Sequence, residues 1–179
     1  MAPIALIWGF AEATLFFVVP DVFLTLVAVS RGARRALSLS VLSALGAVGG
    51  GALMMWWGGN DIAAARVAVH FLPAISADMI AGVAAAMQRP DWPLAMLLGA
   101  FGGVPYKVFA MEAGAAQLSA APFLAASFAA RLLRFSLAVL AARIAARLLE
   151  RRLSPRGATY AIAGSWTSFY LLFWSLMPS

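Results

Sequence analysis

Six ionisable side chains lie inside stretches that are otherwise apolar: Glu12, Asp21, Lys107, Glu112, Arg131 and Arg134. An ionised group at the centre of a bilayer costs about 2.5–3.5 kcal/mol on the insertion scale. Five of them left unpaired would cost roughly 12–17 kcal/mol, as much as the whole stability of a domain at about 5–15 kcal/mol. They must therefore face one another, a watery cavity or a bound ion. Such residues are functional candidates by default.

Arg131 and Arg134 are three residues apart and share a helix face. Arg143 and Arg147 point to roughly the opposite side, near enough to the end of their segment for the long stems to snorkel. With Arg143 at the interface, Arg131 lies about 18 Å deeper. Asp21 follows Pro20 where a half-helix restarts, a place where an N-cap role alone would also suit it. Lys107 follows Pro105 at the start of another half-helix. The free N–H groups and positive dipole end there attract an anion and disfavour a cation, so Lys107 is out of place unless an anion or a carboxylate joins it. Glu112 is a weaker signal, either one turn further along or among lipid headgroups.

Together these positions predict an anion-binding cavity formed by Lys107, Arg131 and Arg134. Glu12 and Asp21 would be its counter-charges, able to take up protons when desolvated. A purely neutralising role for the arginines is compatible with binding. In a bilayer, the abundant anion with an apolar body is a lipid phosphate.

The elements that would position these groups follow from the apolar pattern. The chain has 179 residues, of which 64% are hydrophobic and 11% charged, with a mean hydropathy of +0.91. A soluble domain is about half apolar and a quarter charged, so the expected class is an all-α polytopic membrane protein of one domain. Absence of cysteine excludes a disulfide scaffold. The net charge is +6, and all of that excess falls between Arg131 and Arg156, where Glu150 is the only acid. Basic runs flanking apolar spans follow the positive-inside bias, and no interleaved aromatics suggest nucleic-acid binding. The first thirty residues lack a basic leader region and carry Glu12, Pro20 and Asp21, so they read as structure and not as a signal peptide.

Apolar stretches run over 2–29, 36–59, 92–118, 122–149 and 157–177. A crossing takes about 20 helical residues, and 36–59, 122–152 and 157–177 read as plain spans. Two stretches do not. Residues 1–30 are broken at Val19-Pro20-Asp21, and 92–118 at Gly102-Gly103-Val104-Pro105. Proline removes a helical hydrogen bond and clashes with the preceding turn, leaving halves that reach into a bilayer without crossing it. These are expected as two opposed re-entrant hairpins, alongside about three to five transmembrane helices in an inverted-repeat-like arrangement.

Arginines at 31, 34 and 35 and at 151, 152 and 156 mark two cytoplasmic loops. Residues 60–91, interrupted by Pro73, then read as an outer amphipathic region, and parity makes 92–118 a hairpin. If 62–87 crosses instead, 92–118 becomes a true span. Trp56, Trp57, Trp92, Trp166 and Trp174 read as an interfacial belt. Spacing at Gly46–Gly50 suits close helix packing, within the chain or between copies in a homo-oligomer. His70 is the only histidine, so neither a metal site nor a Ser/His pair can be assembled. The expectation is a protein without enzymatic activity, metal or cofactor.

At these residues the sequence resembles the DedA family of membrane proteins (the VTT or SNARE-associated group), nearest its YqaA-type branch. "GFAEATLFFVVPDVFL" (9–24) is similar to that family's acidic–proline first hairpin, and "GGVPYKVFAMEAG" (102–114) to its second. "FLAASFAARLLRFSLAVLAARI" (123–144) is similar to the helix that follows. Phe17 and Val19 stand where prolines are usual, and Ala130 replaces a glycine. The resemblance implies two opposed re-entrant loops and flippase or scramblase activity in a bacterial inner membrane. It further implies an anionic phospholipid or undecaprenyl phosphate as cargo, with proton-motive coupling. The acidic pair would fall on Glu12 and Asp21, the loop cation on Lys107 and the arginine pair on Arg131 and Arg134. A proton-coupled carrier of a small soluble ion, or a membrane assembly factor that transports nothing, could use the same charges.

Overall fold

The computed structural model describes residues 1–176, so residue 177, the last of the expected final span, lies outside them. Every regular element among the described residues is a helix: α1 (Ala2–Ala13), α2 (Asp21–Arg31), α3 (Ala33–Asn60), α4 (Ile62–His70), α5 (Ala77–Met87), α6 (Trp92–Gly102), α7 (Tyr106–Ala115), α8 (Ala120–Leu149) and α9 (Pro155–Leu176). Two of these, α3 and α8, are long and apolar enough to cross a membrane. The final helix α9 has the length, with 22 residues.

The central element is α3, 28 residues or about 42 Å long. Its small residues let other helices approach to backbone contact. Gly46 lies against the Leu6 carbonyl and Gly50 against Phe10 and Ala13; further on, Gly51 faces the Tyr106 hydroxyl and Gly58 the Met111 carbonyl. The partners ascend with α3, so α1 and α7 both run parallel to it. They occupy successive lengths of it, α1 finishing opposite Gly50 and α7 starting opposite Gly51. Together their 22 residues make about 33 Å of interrupted helix. The Gly46–Gly50 pair thus packs helices within the chain.

The same arrangement recurs along α8. Met96 and Ala100 of α6 meet Ser127 and Arg134, and Asp21 of α2 meets Arg134. Val29 of α2 packs with Ala142 and Ala146 further along α8. Hence α6 and α2 also run parallel to one long helix, one following the other. The first broken segment supplies the first half of one row and the second half of the other. The second broken segment does the converse.

Local chemistry explains the breaks. Pro20 and Pro105 occupy the N-cap positions of α2 and α7. Gly103 closes α6 with a φ of +83°, a left-handed conformation that glycine adopts without steric penalty. Segment 14–20 folds back on α1, where the Trp8 indole donates to the Val18 carbonyl at 2.8 Å. Residues 60–91 form two short helices, each capped by a side chain: Asp61 accepts from Ala64 N–H and Ser76 from Met79 N–H.

Two large apolar clusters fill the interior, besides the small one of Val29, Ala142 and Ala146. One joins Leu24, Ala28, Leu39, Phe135 and Val139 near the arginine-rich end. The other joins Met54, Phe109, Met111 and Phe123 toward the end where α4 and α5 pack. The charged groups fall at their junction, since Ala13 and Ala130 belong to the second cluster and Phe135 to the first.

Candidate functional site

The two broken rows each leave a C-terminal carbonyl end opposite an N-terminal N–H end, and a cation stands at each break. In the first row, the Lys107 ammonium donates to the Phe16 carbonyl, just past α1, at 2.6 Å. The second row is bridged by Arg134, which donates one guanidinium nitrogen to the Ala100 carbonyl at 3.1 Å and another to Asp21 Oδ2 at 3.2 Å. Asp21 sits in the first turn of α2, where the helix dipole favours a carboxylate. It is not the cap, since Pro20 holds that position.

Glu12, at the end of α1, forms an ion pair with Arg131, and both side chains are buried. Arg131 is also flanked by aromatic faces, its Cζ lying 5.0 Å from the Tyr106 ring centre and 5.2 Å from that of Phe135. Rings at this distance attract a guanidinium electrostatically. The structure thus brings Glu12, Asp21, Lys107, Arg131 and Arg134 to one level of the fold. Pro20, Gly102, Gly103 and Pro105 lie in the breaks beside them.

A cavity of about 510 Å³ opens at this level. Glu12, Lys107 and Arg134 reach its wall together with Gly103, Val104 and Pro105. Arg131 and Asp21 stand behind, holding Glu12 and Arg134. The opposite wall is aromatic, formed by Phe17 and, from α9, Trp166, Phe169, Tyr170 and Phe173, while residues 72–75 between α4 and α5 cover a further side. The Tyr170 hydroxyl accepts from Val19 N–H at 3.2 Å, and the Trp166 indole donates to Thr25 Oγ at 2.9 Å. These bonds hold α9 against α2 and the turn before it.

Sequence reasoning missed this aromatic wall. In sequence, Trp166 looks like an interfacial belt residue, and nothing local separates a belt aromatic from one facing a cavity. It also missed a third ion pair, in which only the carboxylate is buried. Glu112 does not meet headgroups; it is buried in α7 and accepts both forks of Arg66 from α4, each at 2.7 Å. That bond raises the Arg66 guanidinium above its ordinary pKa. Arg66, a lone charge in the Ala/Val-rich α4, was the available signal. Arg143 pairs with Glu150 at 3.1 Å.

Among the described residues no group of three His, Asp or Glu side chains could hold a metal ion. The chain matches no family model, no curated protein and no solved structure.

Proposed function

We propose that this protein moves an anionic lipid across a bacterial inner membrane, with the lipid phosphate held at Lys107 and Arg134. The observation that carries the reading is the cavity where the two helix breaks meet. Its charged wall suits a phosphate and its aromatic and aliphatic walls suit the adjoining apolar chain. Half-helices meeting at mid-depth are the recurring way membrane carriers expose backbone groups to a ligand. In this reading α1–α2 and α6–α7 are re-entrant hairpins entering from opposite faces. The arginine-rich ends of α2 and α8 face the cytoplasm. The motif blocks at 9–24, 102–114 and 123–144, which resemble the DedA family, support the same conclusion. Glu12 and Asp21, each paired to an arginine that a phosphate would also attract, are the groups through which proton uptake would couple to movement.

The test is reconstitution. Purified protein in vesicles should equalise the sidedness of phosphatidylglycerol, and Lys107→Gln and Arg134→Gln should each reduce that rate roughly tenfold or more, since each removes a charge-assisted contact worth about 1.5–3 kcal/mol. Vesicles in which the lipid stays on its original side would overturn the proposal. Saturable uptake of a soluble ion there would favour the carrier reading instead.

A further inference from the structure

The charges at the helix breaks do not cancel. Glu12 is matched by Arg131 and Asp21 by Arg134. Lys107 is left over among the described residues, its ammonium donating to the Phe16 carbonyl, an acceptor without net charge. Two of its three hydrogens remain for another acceptor, and Lys107 is on the cavity wall. Three cations against two carboxylates leave one net positive charge. Tyr170, the other titratable side chain on that wall, is uncharged as a phenol, and residues 72–75 contribute no charge. The further ion pair, exposed Arg66 with buried Glu112, is also balanced.

We infer that this count sets the charge of the phosphate the cavity accepts. One negative charge completes the cluster; a second would have no partner in a largely apolar enclosure, where unmatched charge is strongly disfavoured. The ligand class is a monoanionic phosphate: a phosphodiester, or a phosphomonoester that keeps one proton. A doubly ionised phosphomonoester is rejected. The inference rests on the lipid reading above and narrows it.

The experiment compares two probe lipids in phosphatidylcholine vesicles containing the purified protein. Phosphatidylglycerol is a diester and keeps one charge, whereas phosphatidic acid is a monoester whose second ionisation lies near about pH 6. Taking the ratio of the two rates at each pH removes pH effects that act on both lipids alike. Titration of Glu12, Asp21, Lys107 or Tyr170 would change the cluster's own charge, an effect that the Asp21→Asn and Lys107→Gln variants report separately. From about pH 5 to about pH 8 the phosphatidic acid rate should fall roughly tenfold or more relative to phosphatidylglycerol, the doubly charged form being excluded. Asp21→Asn adds a net positive charge and should flatten that fall. Lys107→Gln removes it and should shift preference from phosphatidylglycerol to zwitterionic phosphatidylethanolamine, which keeps the inference testable if the Asp21 variant does not fold. A ratio independent of pH in the unaltered protein, or a Lys107→Gln variant with unchanged headgroup preference, would overturn the charge-count inference. Failure of both lipids to move at either pH is a different result and overturns the lipid reading itself. Soluble glycerol phosphate accumulating in the vesicles without lipid movement would do the same, by assigning the cavity to a free phosphate.

Discussion

Arg131 is buried, with a carboxylate on one side and two rings around its guanidinium. Breaking a buried pair by removing one partner costs about 3–5 kcal/mol, because the other charge remains buried and uncompensated. Glu12→Gln should therefore destabilise the protein by about that amount, read as a lowered unfolding midpoint in detergent. Replacing both, as Glu12→Gln with Arg131→Gln, should restore most of the loss, since no unpaired charge is left. A double variant no more stable than the single one would show that Arg131 is held by its aromatic neighbours and not by Glu12. That these charges needed partners was legible in the sequence, because the cost of burying them depends only on their chemistry. Which carboxylate meets which arginine was not legible, since Glu12 and Arg131 are brought together by the packing of α1, α3 and α8. Arg66 and Glu112 were missed for a related reason: α4 looked interfacial, and an interfacial arginine ordinarily needs no partner.

The helix breaks were the most legible feature of the elements, because proline and glycine act on their own backbone. Pro20 and Pro105 stand at the starts of α2 and α7 and Gly103 at the end of α6. The succession of α1 and then α7 along α3 was hidden, for it depends on which glycine meets which carbonyl. Gly114 of α7 lies against the Met55 carbonyl of α3, so closely that an added methyl would overlap it. Gly114→Ala should push the two helices apart and cost about 1–3 kcal/mol, the range for overpacking a well-filled interior. Gly82, in the middle of α5, has open space where a methyl would go. Gly82→Ala should stabilise by about 0.4–1 kcal/mol, through better helix propensity and a less flexible unfolded chain. Thermal unfolding of the two variants in the same detergent checks both signs. Equal effects would mean that the contact along α3 is not tight.

At the scale of the whole molecule, the two rows assign each connection to an end. Both α3 and α7 run toward the α4–α5 end, whereas α2 and α8 run toward the arginine-rich end, and α6 enters from the α4–α5 end beside the first part of α8. Helices α4 and α5, of 9 and 11 residues, are about 14 and 17 Å long, each near half of the roughly 30 Å hydrocarbon thickness. In the proposed orientation neither crosses, so Asn60, Gln88 and Ser119 share the outer face while Arg34 and Arg152 share the cytoplasmic one. The chain has no cysteine, so a single cysteine placed at each of these exposed positions is a unique label site. An impermeant maleimide applied to intact cells with a permeable outer envelope should modify cysteines at 60, 88 and 119. Those at 34 and 152 should react only after the membrane is opened. A cysteine at 88 that behaves like the one at 34 would mean the 62–87 region crosses the membrane. It would also make α6 and α7 one interrupted crossing and leave the cavity with no second re-entrant wall.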